Sequence, residues 1–298
     1  MPARVEVEVE GRRLSLSNLD KVLYPAVGFT KGQVIDYYTR VAPAVLPHLR
    51  DRPLTLKRYP NGVEGQYFYE KRCPSHAPEW VRREEVQGIT YCVCDDLPTL
   101  VWLANLADLE LHPSLSQVDE ILRPTVMAFD LDPGSGAGLP ECCEVAFILR
   151  DALTRLGLES FAKTSGSKGI QVYVPLNVEA VDYDNGTKAL SKALARHLEA
   201  QHPKLIVSQQ KKELRKGKVL IDWSQNDQHK TTVCVYSLRA KERPTVSTPL
   251  EWDEVDAALE AGDAEALVFD HADVLERVDA KGDLFAPLLS EEQELPAI

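Results

Sequence analysis

The sequence predicts a mixed α/β fold, and three observations carry that prediction. Strand-like and helix-like segments alternate along all 298 residues, with no internal repeat and no long linker. Hydrophobic residues make up 44% and charged residues 27%, an ordinary globular balance that excludes disordered, collagen-like and coiled-coil classes. No apolar run approaches the roughly 18 residues of a membrane helix, and MPARVEVEVEGRR has no apolar stretch behind its charges. A cytoplasmic protein with no membrane partner is expected.

The elements follow in order. Val5, Val7 and Val9 alternate with Glu6, Glu8 and Glu10 before GRR and LSLS, which predicts a hairpin with one buried face. Thr30 is a good N-cap, and Val34, Tyr38, Val41 and Val45 recur at spacings of four, three and four, which predicts a helix. Further helices are expected from Leu97 to Leu109, Glu141 to Leu156 and Asn185 to Gln201. Strands are expected from Leu54 to Arg58, Ile89 to Cys94, Thr125 to Leu131, Gly169 to Val174, Leu205 to Ser208, Val219 to Trp223 and Thr231 to Tyr236. The tail from Glu251 reads as short acidic helices.

Net charge is −12, which argues against a nucleic-acid partner until it is divided along the chain. Residues 251–298 hold 15 acids against 2 bases, so the first 250 residues, with 31 acids and 32 bases, are nearly neutral. A basic run, Lys211, Lys212, Arg215, Lys216 and Lys218, reads either as a phosphate-backbone contact or as a solvated loop. The six cysteines make no zinc-site spacing, so buried, reduced thiols are expected. Cys92 and Cys94 would share a strand face.

The chemistry begins at TVMAFDLDPGSG. An apolar run delivers Asp130 and Asp132, whose i, i+2 spacing on a strand turns both carboxylates to one face, where Pro133 and Gly134 stop the strand. Two adjacent carboxylates repel unless a cation sits between them, and Mg²⁺ or Mn²⁺ with phosphate oxygens is the natural occupant. KTSGSKGIQVYVP then offers a Gly and Ser turn carrying Lys168, readable as an anion nest or as a plain hairpin turn. It is not a Walker A loop, because the spacing is wrong and a strand follows. VLIDWSQN puts Asp222 inside an apolar strand, where a carboxylate is costly unless paired or metal-bound.

The order FDLDP, TSGSKGIQVYVP, IDWSQN and TTVCVYSLRAKERP resembles the polymerase domain of bacterial ligase D, an archaeo-eukaryotic primase-type polymerase. The resemblance extends upstream through LSNLDKVLYP, TKGQVIDYY, RPLTLKRYPNGV, FYEKRCP and LELHP. It implies a primase-polymerase fold, with an RRM-like catalytic sheet and an N-terminal subdomain, forming a single unit over 1–298. Within that unit, 1–115 would bind DNA ends and 5′-phosphates, 116–250 would be the catalytic core and 251–298 the acidic helices, held away from DNA.

By the same resemblance Asp130, Asp132 and Asp222 bind two catalytic ions, Mn²⁺ or Mg²⁺, and Asp222 helps activate the primer hydroxyl. Ser165, Lys168 and Arg239 hold the incoming nucleoside triphosphate, and Lys57 and His112 line the nucleotide site. Gln171 stands where such polymerases often carry His, and it can donate a hydrogen bond to phosphate without carrying charge. Lys21 and Lys31 match a pair that grips a 5′-phosphate, and Phe68 and Tyr69 an aromatic pair that stacks on the template. Read without the resemblance, Lys21 and Lys31 are surface lysines, His112 is structural, one of Phe68 and Tyr69 is core, and Arg239 pairs with Glu242.

The implied activity is template-dependent addition of nucleotides to a DNA 3′-hydroxyl at gaps or double-strand break ends, as in non-homologous end joining, with a preference for ribonucleotides. The implied partners are broken or gapped DNA bearing a 5′-phosphate, the end-binding protein Ku and a separate ATP-dependent ligase, in the bacterial nucleoid. With no ligase or nuclease segment in the 298 residues, a stand-alone polymerase is expected. Two rivals remain: a DNA-end binding module without catalysis, and a haloacid-dehalogenase-type phosphatase, whose first motif is also a strand ending in D-x-D.

Overall fold

The alternating valines and glutamates do fold as a hairpin: in the computed structural model, which describes residues 4–178 and 181–296, Arg4–Val9 pairs antiparallel with Arg12–Ser17. Its buried face is carried by Leu14 and Leu16, while Val5 stays exposed. Thr30 caps the helix Lys31–Leu49 through a capping box with Gln33, satisfying amides that the first turn leaves unpaired. Val34, Tyr38, Val41 and Val45 all turn inward, as their spacing requires.

The chain divides into two units. The first holds the described residues up to Ser114 together with Val233–Ser247 and Asp270–Asp283. The second holds Leu115–Thr232, Thr248–Phe269 and the described residues from Leu284 on. This division is discontinuous and differs from the three consecutive stretches expected from sequence. The acidic tail gives the helix Trp252–Ala261 to the second unit and the helix His271–Lys281 to the first.

In the first unit Leu54–Arg58 lies at the middle of an antiparallel sheet. It pairs with Phe68–Glu70, with Ile89–Cys92 and with Asp108–Pro113, and Arg83–Val86 adds to Ile89–Cys92. The helix expected over 97–109 ends at Asn105, because Ala107 adopts φ 58° and the chain re-enters as the strand Asp108–Pro113. The strand expected at Thr231–Tyr236 is absent: Tyr236 sits at φ 63°, and Ser237 donates back to the Cys234 carbonyl, closing a turn. The expectation of reduced thiols also fails at one place. Cys73 and Cys92 form a disulfide, because the segment after Phe68–Glu70 returns alongside Ile89–Cys92, while Cys94 lies past that strand's end. Cys94, Cys142, Cys143 and Cys234 are free and buried.

The second unit is built on a six-stranded sheet. Its order is Ile206–Val207, Val219–Asp222, Val126–Pro133, Ile170–Pro175, Phe161–Thr164 and Pro249–Leu250, antiparallel except for the first pair. Helix Leu139–Arg155 covers one face, and the helix Lys188–Gln201 starts later than expected because Tyr183–Thr187 forms a wider π turn. Met127, Phe129, Leu131, Val172 and Ile221 fill the core beneath the helices. Each such burial contributes about 1.5–3 kcal/mol. A one-residue slip of Val126–Pro133 would exchange Met127, Phe129 and Leu131 for Ala128, Asp130 and Asp132, so the core fixes which face carries the acids.

Candidate active site

Strand register assembles the acids. Asp130 lies opposite Asp222 on one neighbour and opposite Gln171 on the other, and Gln171 lies opposite Lys163. Directly opposed side chains stand about 5 Å apart at Cβ, so these four residues form one row across four strands, on the face away from the helices. Asp132 follows two residues on from Asp130, on the same face. Asp222 is 7% exposed and held in place: Ser224 donates to Oδ1 from its amide at 2.9 Å and its hydroxyl at 2.7 Å, and Gln225 Nε2 donates to Oδ2 at 3.1 Å.

Burial first, and then the charges of Asp132 and Asp222, push the Asp130 carboxyl up to about 7, against a hydrogen bond from Gln171 and the charge of Lys163. Carboxylates gathered in this way fit a divalent cation, which would relieve their repulsion through the oxygen donors that hard cations take. Among the described residues no three His, Cys, Asp or Glu side chains form a ready-made ligand set. Phosphate oxygens and water would therefore complete any coordination.

The KTSGSKG segment is a hairpin turn between Phe161–Thr164 and Ile170–Pro175. Ser165 Oγ accepts from the amides of Ser167 and Gly169, both at 3.2 Å, and Lys168 projects exposed from the turn. A Cβ at Gly169 would lie 2.0 Å from the Leu131 carbonyl, so only glycine lets the turn lie this close to the acid-bearing strand. A Cβ at Gly134 would lie 1.8 Å from the Arg215 carbonyl. The basic run is thus a loop docked at the end of that strand, with Lys211, Lys212 and Lys216 exposed. Gln171 does not project free: its Nε2 donates to Thr232 Oγ1 at 3.2 Å, and its Oε1 accepts from Lys163.

The first unit brings a second group together. Glu110 is 1% exposed and its Oε2 lies 3.1 Å from Lys57 Nζ, 3.1 Å from His112 Nε2 and 3.3 Å from Arg239 Nε. Arg239 therefore pairs with Glu110 rather than with Glu242, because pairing of Asp108–Pro113 with Leu54–Arg58 sets Glu110 opposite Lys57. Lys57 Nζ also lies 5.0–5.5 Å from the ring centres of Tyr59, Tyr67 and Tyr69, within cation–π range. Burial keeps His112 below its ordinary value, outweighing the hydrogen bond with Glu110.

Phe68 and Tyr69 are 54% and 59% exposed, so neither is core. They point to opposite sides of the edge strand Phe68–Glu70, and only Tyr69 lies on the Lys57 side, 6.0 Å from the His112 ring. Lys21 is exposed and donates to Asn61 Oδ1. Lys31 is no surface lysine: it is buried and donates to the Ser17 carbonyl at 2.6 Å. Sequence reasoning missed Lys163 and Glu110. Glu110 had a signal, its i, i+2 relation to His112, once Asp108–Pro113 is read as a strand; Lys163 had none, since it acquires its place only through register.

The family model for the LigD primase-polymerase domain matches residues 30–285. The multifunctional non-homologous end joining protein LigD of Mycolicibacterium smegmatis is 43% identical over 282 residues, which cover 93% of this chain and 36% of the relative. The bifunctional non-homologous end joining protein LigD of Bacillus subtilis is 32% identical over 284 residues, covering 95% of this chain and 45% of the relative. The chain thus spans less than half the length of these curated relatives. The solved structure of the polymerase domain from Mycobacterium tuberculosis ligase D in complex with DNA matches at a TM-score of 0.84 and 40% identity, over 94% of this chain and 99% of that one. A match running through both units, and a shared fold at that level of identity, mean that the chain belongs to the LigD primase-polymerase domain family, a family of DNA-directed nucleotidyltransferases.

Proposed function

We propose that this chain adds nucleotides to a DNA 3′-hydroxyl opposite a template strand, at gaps or double-strand break ends, with release of pyrophosphate. The observation that carries the reading is the cross-strand pairing of Asp130 with Asp222, with Asp132 beside them, on the sheet face away from the core. The names of the relatives, non-homologous end joining proteins, support a role in break repair.

Asp130, Asp132 and Asp222 would hold two Mn²⁺ or Mg²⁺ ions. When bound, such ions lower the pKa of an attacking hydroxyl and neutralise charge on a leaving pyrophosphate. The chain's own residues orient the reactants. Asp222 is fixed by Ser224 and Gln225, so it presents one arrangement of its oxygens to the primer end. In the second unit Lys168 and the amides of the Ser165 turn suit the triphosphate; in the first unit Arg239, Lys57 and His112, gathered by Glu110, are a cationic group suited to a nucleotide. Lys21 and Lys31 grip the 5′-phosphate at a gap, and the exposed rings of Phe68 and Tyr69 stack on template bases. Ku and a separate ATP-dependent ligase are the proposed partners, on DNA of the bacterial nucleoid. Among the described residues no helix is long and apolar enough to cross a membrane.

The test is extension of a labelled primer on a gapped duplex bearing a 5′-phosphate, with Mn²⁺ or Mg²⁺ and either ribo- or deoxynucleotides. Wild-type extension that disappears in Asp130→Ala, with DNA binding retained, is the expected result. DNA binding without extension under either metal would replace this reading with that of a non-catalytic end-binding module.

A further inference from the structure

Lys163 is the most deeply buried ammonium group beside the acids, at 1% exposed, and nothing in the reaction proposed above uses it. Burying a charge is costly unless it is paired and hydrogen-bonded, so its position calls for a role. Its Nζ donates to Gln171 Oε1 at 2.6 Å, and the Tyr173 hydroxyl donates to the same oxygen at 3.3 Å. The ammonium also lies 5.5 Å from the Tyr173 ring centre.

A glutamine amide presents an acceptor on one side and two donors on the other, and flipping it exchanges them. With two donors fixed on its oxygen, Gln171 has one orientation open to it. Its nitrogen donates to Thr232 Oγ1 at 3.2 Å, and strand register sets Asp130 directly opposite Gln171, on the side away from Lys163. The flipped amide would set a carbonyl oxygen against a carboxylate already crowded by Asp132 and Asp222.

We propose that Lys163 is a positioning residue for nucleotidyl transfer: it locks the Gln171 amide with its NH₂ group toward Asp130, and so holds that carboxylate in a single orientation within the acid row. The role in transfer rests on the function proposed above, whereas the lock itself does not. Lys163 touches no reactant; it acts through Gln171. Its ammonium group, two strands along the same row from Asp130 and bound to Gln171, offsets part of the repulsion among the three acids.

The test has two arms. In the first, wild-type protein labelled with ¹⁵N-glutamine is examined by NMR, with the Gln171 side-chain signals assigned by their loss in Gln171→Met. A slowly exchanging NH₂ pair that shifts on adding Mg²⁺, and that collapses to solvent-averaged positions in Lys163→Met, is expected. A Gln171 pair that is solvent-averaged in the wild type, or unmoved in Lys163→Met, overturns the proposal. Because the wild-type spectrum alone can refute it, a Lys163→Met protein that fails to fold does not protect it. In the second arm, primer extension at saturating metal gives kcat and KM for the nucleotide. Losing a charge-assisted hydrogen bond of this kind predicts that Lys163→Met lowers kcat about tenfold or more, with KM nearly unchanged. Gln171→Met should lose about as much, and the double variant no more than either alone, because both act along one path. Multiplying losses in the double variant would overturn the proposal. A wild type that does not extend primers at all would sink the proposed function while leaving the NMR result standing.

Discussion

Glu110→Gln removes one negative charge from a buried group and changes almost nothing in shape. In the wild type one carboxylate serves Lys57, His112 and Arg239, and Lys57 and Arg239 are each only 13% exposed. The amide would leave two cations without their counter-charge, and breaking a buried pair in this way costs about 3–5 kcal/mol. For a domain of roughly this size each kcal/mol moves the melting temperature by about 2–4 °C, so a drop of about 6 °C or more is expected. Calorimetry at neutral pH checks it, with nucleotide binding measured on the folded variant.

The pH dependence sharpens the case. Burial pushes Glu110 upward, but the hydrogen bond from His112 and the charges of Arg239 and Lys57 outweigh it and hold the carboxyl well below the usual carboxylate range. A folded-state pKa below the unfolded one gives stability that is complete above about pH 4.3 and is lost as the pH falls further. Wild type and variant should therefore differ most at neutral pH and draw together in acid. A difference under about 2 °C at neutral pH, or one that widens in acid, would refute the reasoning.

Three further outcomes are expected. Gly169→Ala must displace the Leu131 carbonyl or the Ser165 turn, at a cost of about 1–3 kcal/mol, and should raise KM for the nucleotide; unchanged melting and KM would show that the turn is slack. Burial, with the charge of Lys21 adding, brings Lys31 down to about 8. The ammonium is lost above that value, so preference for gaps bearing a 5′-phosphate should fade as pH rises through it, and a preference equal at about pH 7 and about pH 9 counts against the 5′-phosphate role of Lys31. Cys73→Ser opens a loop of 19 residues, which predicts a stability loss of about 3 kcal/mol, matched by adding reductant to the wild type. Equal melting of wild type and variant without reductant would mean that the bond does not form in solution.

What the sequence disclosed, and what it withheld, follows the range of the interactions. The Thr30 cap and the inward row from Val34 to Val45 are set within a few turns of helix, and both are readable locally. So is the pair Asp130 and Asp132, because apolar alternation and a following Pro and Gly state both the strand and its end. The joining of Asp222 to that pair depends on register, which the apolar face of Val219 and Ile221 fixes but does not announce. Glu110 and Lys163 acquire their partners wholly from strands distant in sequence. The misreadings have the same origin. LPTLVWLANLADL carries helical residues to its end, yet pairing with Leu54–Arg58 claims the segment from Asp108 onward. TTVCVY has the composition of a strand, but a left-handed Tyr236 bends it into a turn.

The discontinuous division of the chain bears on how the protein is made. The helix Lys31–Leu49 is packed by His271–Lys281, so the first unit leaves the ribosome early but lacks a wall until residue 281 has been made. The second unit waits longer still. Gln293 donates its amide to the Leu176 carbonyl and its side chain to the carbonyls of Pro175 and Glu159, pinning the strand Ile170–Pro175 at its exit. The first unit can therefore close only once residue 281 has been made, and the second only after residue 293. A nascent chain stalled before Gln293 would carry Asp130, Asp132 and Asp222 on a sheet whose strand Ile170–Pro175 is not yet pinned at its exit.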